Sequence, residues 1–334
     1  MLKKLRPKMI IWLIVWSIVQ ATGPILVSAA PKDSDVINDR DFVIVTVKSE
    51  ESLASLAGQY LGSIHKAWQI ADYNGISSVT PGQRLVIPLR PIAYGGLDKR
   101  GFQTVPILYY SKLTADPDDK KRVSAADFDT QLQFLREQGY RTVSLDLFVA
   151  FLNFEEQLPP RTVIISFDST ERWVYDIAYP ILLRHGFQAA LFVRTDRMDQ
   201  PGHLTWQEID KLAAAGFDIG TSGLSAKILT RLQSQNDPEA HIKALELEIG
   251  EPRRIIHTHL KRPCHYFAYP AGLTDDLVVA LLKKHGYKAA FTRREGGNPF
   301  FVDNYKIRRS IIQKDKDPLK FRELLTTFNS MDLR

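Results

Sequence analysis

The sequence predicts a two-part α/β protein, in which a small β-α-α-β module precedes a larger α/β barrel with parallel strands. In residues 42–90 one strand, two short helices and a closing strand follow each other. From residue 105 onward, short apolar strands alternate with amphipathic helices, as parallel strands joined by helical crossovers do. A chain of 334 residues is long enough for both units.

The first thirty residues have the pattern of a secretory signal peptide, which we predict over residues 1–29. Lys3, Lys4, Arg6 and Lys8 precede an apolar run that starts at Met9, and Val27-Ser28-Ala29-Ala30 offers small residues for cleavage. An uncleaved membrane anchor is the alternative, because the apolar run is nearly long enough to cross a bilayer. Either way, the expected location is across the inner membrane, in the periplasm or the cell wall.

Composition excludes two classes of function. Without the four basic residues of the leader, 40 of the 44 Lys and Arg residues remain. With 38 Asp and Glu residues, the net charge is then +2. Nucleic-acid binding favours a clustered basic face, so no nucleic-acid partner is expected. The single cysteine, Cys264, permits no internal disulfide and no thiolate metal cluster.

The small module begins with a strand over Val43–Val47 and ends with a strand over residues 84–88. Two helices are predicted between these strands. The second runs from about residue 64 to residue 74, with Trp68 and Ile70 facing the core. The tetrapeptide Thr80-Pro81-Gly82-Gln83 is typical of a tight turn into the closing strand. Residues 91–104, which include three glycines, are predicted to be a linker.

This module resembles a LysM domain over residues 42–90, most specifically in Thr80-Pro81-Gly82-Gln83-Arg84-Leu85-Val86-Ile87-Pro88. LysM domains bind N-acetylglucosamine-containing glycans, so the resemblance implies peptidoglycan or a similar glycan as partner. The implied glycan-binding residues lie in two loops: Glu51, Ser52, Ile76, Pro81 and Gly82. The family usually has Gly-Asp-Thr where this chain has Glu50-Glu51-Ser52, which adds a charge to the first loop. A LysM fold kept only as a spacer is the alternative.

The larger unit, residues 105–330, alternates strands and helices. Strands are predicted at 105–110, 142–145, 162–167, 189–193, 218–220, 266–268 and 289–292. Helices are predicted at 125–138, 174–185, 205–215, 238–249 and 275–285, several of them ending at a glycine suited to a left-handed cap. His257 and His259, which follow the fourth of these helices, are expected in a surface turn.

The ordered segments resemble the polysaccharide deacetylases of the NodB type (carbohydrate esterase family 4). The segments that carry the resemblance include Val163-Ile164-Ile165-Ser166-Phe167-Asp168, Gly216-Phe217-Asp218-Ile219-Gly220 and Tyr266-Phe267-Ala268-Tyr269-Pro270-Ala271-Gly272. The resemblance implies a distorted (β/α) barrel that removes acetyl groups from glycans. In that family a divalent metal such as zinc activates a water molecule and a carboxylate accepts its proton.

The residues that should hold the metal are missing. The family motif Thr-Phe-Asp-Asp-Gly is Ser166-Phe167-Asp168-Ser169-Thr170 here, so Asp168 occupies the base position and Ser169 replaces a metal ligand. The motif His-x-x-x-His is replaced by a segment with Ser222 and Ala226 at the two histidine positions. Serine and alanine are not the ligands that zinc favours, so no metal cofactor is expected. Asp168 is then a relic base, a hydrogen-bond acceptor for sugar, or a solvated residue at a strand end.

By resemblance, Tyr269 lies where the backbone helps to form an oxyanion hole and the ring lines the glycan groove. The leading hypothesis is therefore an exported envelope protein whose barrel binds glycan or a protein partner without hydrolysis. One alternative is an active deacetylase with a rearranged site, which draws ligands from Asp168, Asp218 or a histidine. Another is a scaffold in which only the LysM-like module touches glycan.

Overall fold

The computed structural model describes residues 36–232, 237–314 and 318–331. The predicted signal peptide, residues 1–29, lies outside these ranges. None of the helices in the described ranges is long and apolar enough to span a membrane.

The helices and strands fall into two units. The first contains β1 (Val36–Asn38), β2 (Phe42–Thr46), α1 (Leu53–Leu61), α2 (Ala67–Asn74) and β3 (Arg84–Pro88). The second begins with β4 (Leu97–Asp98), β5 (Gly101–Val105), β6 (Ile107–Tyr110), β7 (Leu113–Thr114), β8 (Val123–Ser124), α3 (Ala125–Glu137), β9 (Arg141–Thr142), α4 (Leu145–Leu152) and β10 (Thr162–Asp168). It continues with α5 (Tyr179–His185), β11 (Ala190–Val193), α6 (Trp206–Ala214), β12 (Asp218–Thr221), α7 (Pro238–Leu260), β13 (Tyr266–Ala268) and α8 (Asp276–Lys284). Its last elements are β14 (Ala289–Phe291), β15 (Asn298–Pro299), β16 (Ser310–Ile312), α9 (Pro318–Glu323) and β17 (Phe328–Ser330).

The first unit has the predicted β-α-α-β order, with β1 added in front. Strands β1, β2 and β3 form an antiparallel sheet, in that order. The side chain of Asn74 ties α2 to β3, because its Oδ1 accepts from Val86 N at 2.9 Å and its Nδ2 donates to Val86 O at 2.7 Å. Ile70 lies in the core as predicted, but Trp68 does not. Helix α2 places that ring, half-buried, on the surface facing the second unit.

The second unit is built on a sheet of parallel strands, as predicted. The order is β14-β13-β12-β11-β10-β6-β16, with β9 paired to the start of β10. The segment before β16 closes this sheet toward a barrel, because Ile307 pairs with Phe291 of β14. Strand β16 was not predicted, although it completes the wall next to β6.

Side chains of the barrel strands alternate between two apolar layers. On β10, Val163, Ile165 and Phe167 pack toward the surrounding helices, whereas Ile164 packs with a second cluster that contains Phe192 and Phe291. This alternation follows from the period of two along a strand. Asp168 shares the face of Ile164 and, as the last residue of β10, lies at the carboxyl edge of the sheet, where active residues of such barrels collect.

The segment predicted as a linker is structured instead. Residues 97–105 form β4 and β5, and β5 pairs with β17 and β15. Gly101 has φ 147°, and a Cβ there would lie 2.0 Å from Asn329 O. The absence of a side chain at residue 101 therefore permits the close approach of β5 and β17, and it does not make the chain flexible.

Helix α7 is longer than predicted and continues to Leu260 through Pro252. Proline has no N–H to bond the carbonyl four residues earlier, which normally disrupts a helix. Here that carbonyl, Glu248 O, accepts from Leu224 N at 3.2 Å, so a tertiary contact satisfies it. His257 and His259 consequently lie in the last turn of α7 and not in a surface turn.

The first unit contacts the base of the barrel, which we define as the end where the parallel strands begin. Lys66 Nζ lies 2.8 Å from Glu156 Oε1, in the loop that precedes β10. Two open clefts remain between the units on either side of α2, with volumes of about 700 and 990 Å³. The carboxyl edge of the sheet lies at the opposite end of the barrel.

Candidate functional site

Asp168 is held by an arginine at the carboxyl edge of β10. Its side chain is 6% exposed, and both of its oxygens accept from Arg309: Nη1 lies 2.6 Å from Oδ1 and Nη2 lies 2.8 Å from Oδ2. A second cation, Arg293, has its Nη2 at 3.7 Å from Asp168 Oδ2. The contact between Arg309 and Asp168 is bidentate, which is the strongest form of a carboxylate–guanidinium pair.

Arg309 lies inside the barrel and is 0% exposed. Its Nε donates to Thr292 O at 2.9 Å, and its guanidinium lies 4.6 Å from the ring centroid of Tyr109 and 5.5 Å from that of Phe192. Aromatic faces attract cations, so these rings stabilise the buried guanidinium. Burial, with the nearby charge of Asp168, raises the pKa of Tyr109 to about 12, so its hydroxyl stays protonated at neutral pH.

The three positions at which the family has metal ligands lie at the same edge. Here they carry two serine hydroxyls and one alanine methyl group. Ser169 is buried, and its Oγ accepts from Glu171 N at 3.0 Å. Ser222 follows β12, where its backbone N donates to Val193 O at 2.9 Å. Ala226 has a left-handed backbone with φ 53° and offers no donor atom.

Glu248 of α7 fastens the loop that contains Ser222 and Ala226. This carboxylate is buried, and it accepts from Ser225 N at 2.9 Å and from Ser225 Oγ at 2.5 Å. Lys227 Nζ lies 3.5 Å from the same carboxylate. Because Glu248 O also accepts from Leu224, both the backbone and the side chain of one residue hold the loop.

Tyr269 does not line an open groove, contrary to the prediction. Its ring is fully buried among the side chains between the sheet and the helices, and its hydroxyl donates to Tyr305 O at 2.9 Å. Its backbone N donates to Phe291 O at 3.0 Å, so this N–H is not free to stabilise an oxyanion. Burial raises the pKa of the phenol above its usual range.

The two predicted glycan-binding loops of the first unit lie side by side. Gly82 N donates to Val47 O at 2.8 Å, which joins the second loop to the end of β2, where the first loop starts. Ser52 caps α1, and Glu51 Oε2 accepts from Lys48 N at 2.8 Å. Pro81 and Gly82 are exposed and Ile76 is half-buried, so the loops form a shallow surface.

Comparison with known proteins agrees with this architecture. Residues 45–88 match the family model described as LysM domain, and residues 155–290 match the model described as polysaccharide deacetylase. The chain carries a LysM domain followed by a NodB-like polysaccharide deacetylase domain. The predicted order of the two families and the predicted fold class are therefore confirmed.

Relatives and solved structures share this fold at low identity. The poly-β-1,6-N-acetyl-D-glucosamine N-deacetylase of Staphylococcus epidermidis is 23% identical over 237 residues, which cover 68% of this chain and 80% of that protein. The structure of the Streptococcus pyogenes deacetylase PplD in complex with acetate superposes with a TM-score of 0.61 at 20% identity, over 67% of this chain and 98% of that one. A polysaccharide deacetylase from Bacillus cereus, BC0361, gives a TM-score of 0.56 at 20% identity, over 75% and 73% of the two chains.

The deacetylase domain lacks the donor set for the metal that its family implies. Zinc favours histidine nitrogen, thiolate and carboxylate. Within residues 36–232, 237–314 and 318–331, no three His, Cys, Asp or Glu side chains are grouped so that they could hold a metal ion. Both oxygens of Asp168 are already bound by Arg309, and the carboxylate of Glu248 is bound by Ser225 and Lys227. The residues present therefore do not fit a catalytic divalent metal.

Three further residues of the site were missed in the sequence: Arg309, Arg293 and Glu248. Arg309 directly precedes the short apolar strand β16, and a charged residue beside a buried strand was an available signal. Arg293 follows the strand predicted at 289–292 and offered the same signal, whereas Glu248, a charged residue within a predicted helix, offered none. Asp218, considered as a ligand in a rearranged site, lies at the base of the barrel and accepts from Leu145 N at 2.8 Å.

Proposed function

We propose that this chain is an exported cell-envelope protein that binds N-acetylglucosamine-containing glycan through its LysM domain and does not hydrolyse acetyl groups. The predicted signal segment at residues 1–29 supports export. The relatives described as poly-β-1,6-N-acetyl-D-glucosamine N-deacetylases support this class of glycan. In this proposal the deacetylase domain binds glycan or an envelope protein.

One observation is the main support for the proposal that the domain does not hydrolyse acetyl groups. Ser169, Ser222 and Ala226 stand at the three metal positions, while Arg309 binds both oxygens of Asp168. Without a metal, no group at this edge lowers the pKa of water to near neutrality, a shift that amounts to several pKa units in metallohydrolases. Burial of Tyr269 supports the same conclusion, because it leaves neither its ring nor its N–H free for an acetyl group.

The test combines metal analysis with an assay for acetate. We expect the purified full chain, incubated with zinc and then desalted, to retain less than one tenth of an equivalent of metal. We also expect no acetate release from poly-N-acetylglucosamine or peptidoglycan above that of Asp168→Asn. One equivalent of zinc, together with acetate release that Asp168→Asn abolishes, would show an active enzyme with a rearranged site.

Glycan attachment is tested with the LysM loops in the full chain. We expect the unmodified protein to sediment with insoluble peptidoglycan, and the double variant Pro81→Glu/Gly82→Asn to sediment at least fivefold less. Asparagine tolerates the left-handed backbone of residue 82, which has φ 81°, so the turn is kept. Gln59→Ala, an exposed change on α1 away from the loops, is the matched control. Equal sedimentation of all three proteins contradicts binding through these loops.

A further inference from the structure

The cleft of about 700 Å³ between α2 and the barrel base, here called the base cleft, has features that neither the LysM loops nor the carboxyl edge explains. Its volume lies within the range of roughly 300–1,000 Å³ typical of small-ligand sites. It lies at the opposite end of the barrel from Asp168. Its walls come from both domains, so neither domain forms it alone.

Three nearly buried glutamines line the base cleft: Gln69, Gln103 and Gln157 are 7%, 5% and 5% exposed. Within the part of the chain that the structure describes, the Gln69 amide has no hydrogen-bond partner. Its amide atoms are not sealed from solvent, so they face the cleft. A nearly buried amide without a partner carries a cost in free energy unless water or a ligand satisfies it.

The other two glutamines each use one end of the amide and leave the other end free. Gln157 Oε1 accepts from the backbone N of Ile92 and of Ala93, at 3.0 and 3.1 Å, which directs its unbonded Nε2 to the cleft. Gln103 Nε2 donates to Pro159 O at 2.6 Å, which leaves its Oε1 without a donor among the described residues. The cleft therefore presents one free amide donor, one free carbonyl acceptor and the whole amide of Gln69.

Aromatic side chains form the sides of the same cleft. Trp68 and Tyr73 stand on the LysM side, and Phe328 stands on the side of the deacetylase domain. Tyr73 and Phe328 are exposed, at 46% and 37%, so both rings are accessible to a ligand in the cleft. Rings beside directed amides suit a sugar, whose C–H face packs on an aromatic face while its polar edge takes hydrogen bonds.

We propose that the base cleft is a second carbohydrate site, which recognises an N-acetylated hexosamine. An acetamido group carries one carbonyl acceptor and one N–H donor, the complement of Gln157 Nε2 and Gln103 Oε1. Trp68 and Gln69 also line the neighbouring cleft of about 990 Å³, which extends to Ile76 and Ser77 of the second LysM loop. A glycan chain long enough to pass Trp68 reaches both sites, which favours a polymer as the ligand.

Calorimetric titration of the full chain with the tetramer of N-acetylglucosamine tests this site. The background is Pro81→Glu/Gly82→Asn, so that the LysM loops do not contribute. We expect the background protein to bind the tetramer, and Gln69→Leu or Trp68→Ala to weaken this binding at least tenfold. Gln69→Leu breaks no hydrogen bond of the fold, so its unfolding midpoint should not fall. The de-N-acetylated tetramer should bind at least tenfold more weakly.

Trp206→Ala is the matched control, because Trp206 stacks on His259 of α7 and does not line the base cleft. Absence of binding in the background protein, or equal affinity of the background, Gln69→Leu and Trp68→Ala proteins, would overturn the proposal. The tetramer titration can succeed or fail independently of the sedimentation test of the LysM loops. If the loop variant sediments with peptidoglycan as fully as the unmodified protein while Trp68→Ala in that background loses the tetramer, the loop assignment fails and the base cleft stands.

Discussion

At the scale of single residues, the contact between Asp168 and Arg309 organises the carboxyl edge. The pair is buried and joined by two hydrogen bonds, and the guanidinium is enclosed by aromatic rings. A buried ion pair adds little to stability compared with apolar residues, but removal of one partner strands the other charge. The pair therefore specifies the arrangement of the edge more than it strengthens the fold.

Substitution of one partner should be far more harmful than substitution of both. We expect Arg309→Met to lower the free energy of unfolding by about 3–5 kcal/mol, because it leaves the Asp168 carboxylate buried and unpaired. The double variant Asp168→Leu/Arg309→Met should recover most of that loss. Urea unfolding of the two single variants and the double variant measures this as a cycle. Additive effects would mean that the two side chains do not interact as described.

At the scale of elements, Asp218 joins the start of β12 to the first turn of α4. Its Oδ2 accepts from Leu145 N at 2.8 Å, next to the N-cap Ser144. Burial, with the neighbouring charge of Asp146, raises the pKa of Asp218 to about 7, although the bond from Leu145 opposes the shift. The joint between strand and helix therefore holds a carboxyl group that favours its protonated form in the folded state.

This joint predicts a pH dependence of stability. The folded pKa lies above the unfolded value of 3.8, so the contribution is fully present below about pH 4 and is lost as pH rises through about 7. Between pH 5 and pH 8 we expect the free energy of unfolding to fall by roughly 1–3 kcal/mol more in the unmodified chain than in Asp218→Asn. Asparagine keeps an acceptor for Leu145 N but does not titrate. Identical pH profiles in urea unfolding would contradict this prediction.

At the scale of the whole molecule, two domains meet at the base of the barrel, while Asp168, Ser169 and Ser222 lie at the far edge. The interface includes the ion pair of Lys66 and Glu156 and leaves two clefts beside α2. Among the described residues, no three His, Cys, Asp or Glu side chains are grouped so that they could hold a metal ion. The fold is expected to need none for its stability.

Chelation tests that expectation. We expect the unfolding midpoint of the full chain to change by less than about 1 °C in EDTA, because a ligand stabilises a fold only in proportion to its binding. Added zinc should leave the midpoint equally unaffected. A midpoint that falls on chelation and returns with zinc would show a metal site that the donors at Asp168, Ser169 and Ser222 do not account for.

Local patterns were enough to predict the domain order, the parallel strands and the loss of the metal ligands. Strand periodicity, the Thr80–Gln83 turn and the residues at 169, 222 and 226 are all properties of short segments. Each could be predicted because it depends on neighbours in sequence. The error at Pro252 had the opposite cause, since the partner that allows the helix to continue lies in the loop at Leu224.

The sequence alone determined which residues stand at the metal positions of the family motifs, whereas the tertiary structure decided what these residues and Asp168 contact. Arg309 reaches Asp168 across 141 positions of the chain, and packing of the helices on the sheet buries the ring of Tyr269. Glu248 fastens its loop, and three glutamines meet in the base cleft, only once the helices and the two domains have packed. These contacts join segments far apart in sequence, so packing and not local pattern sets them.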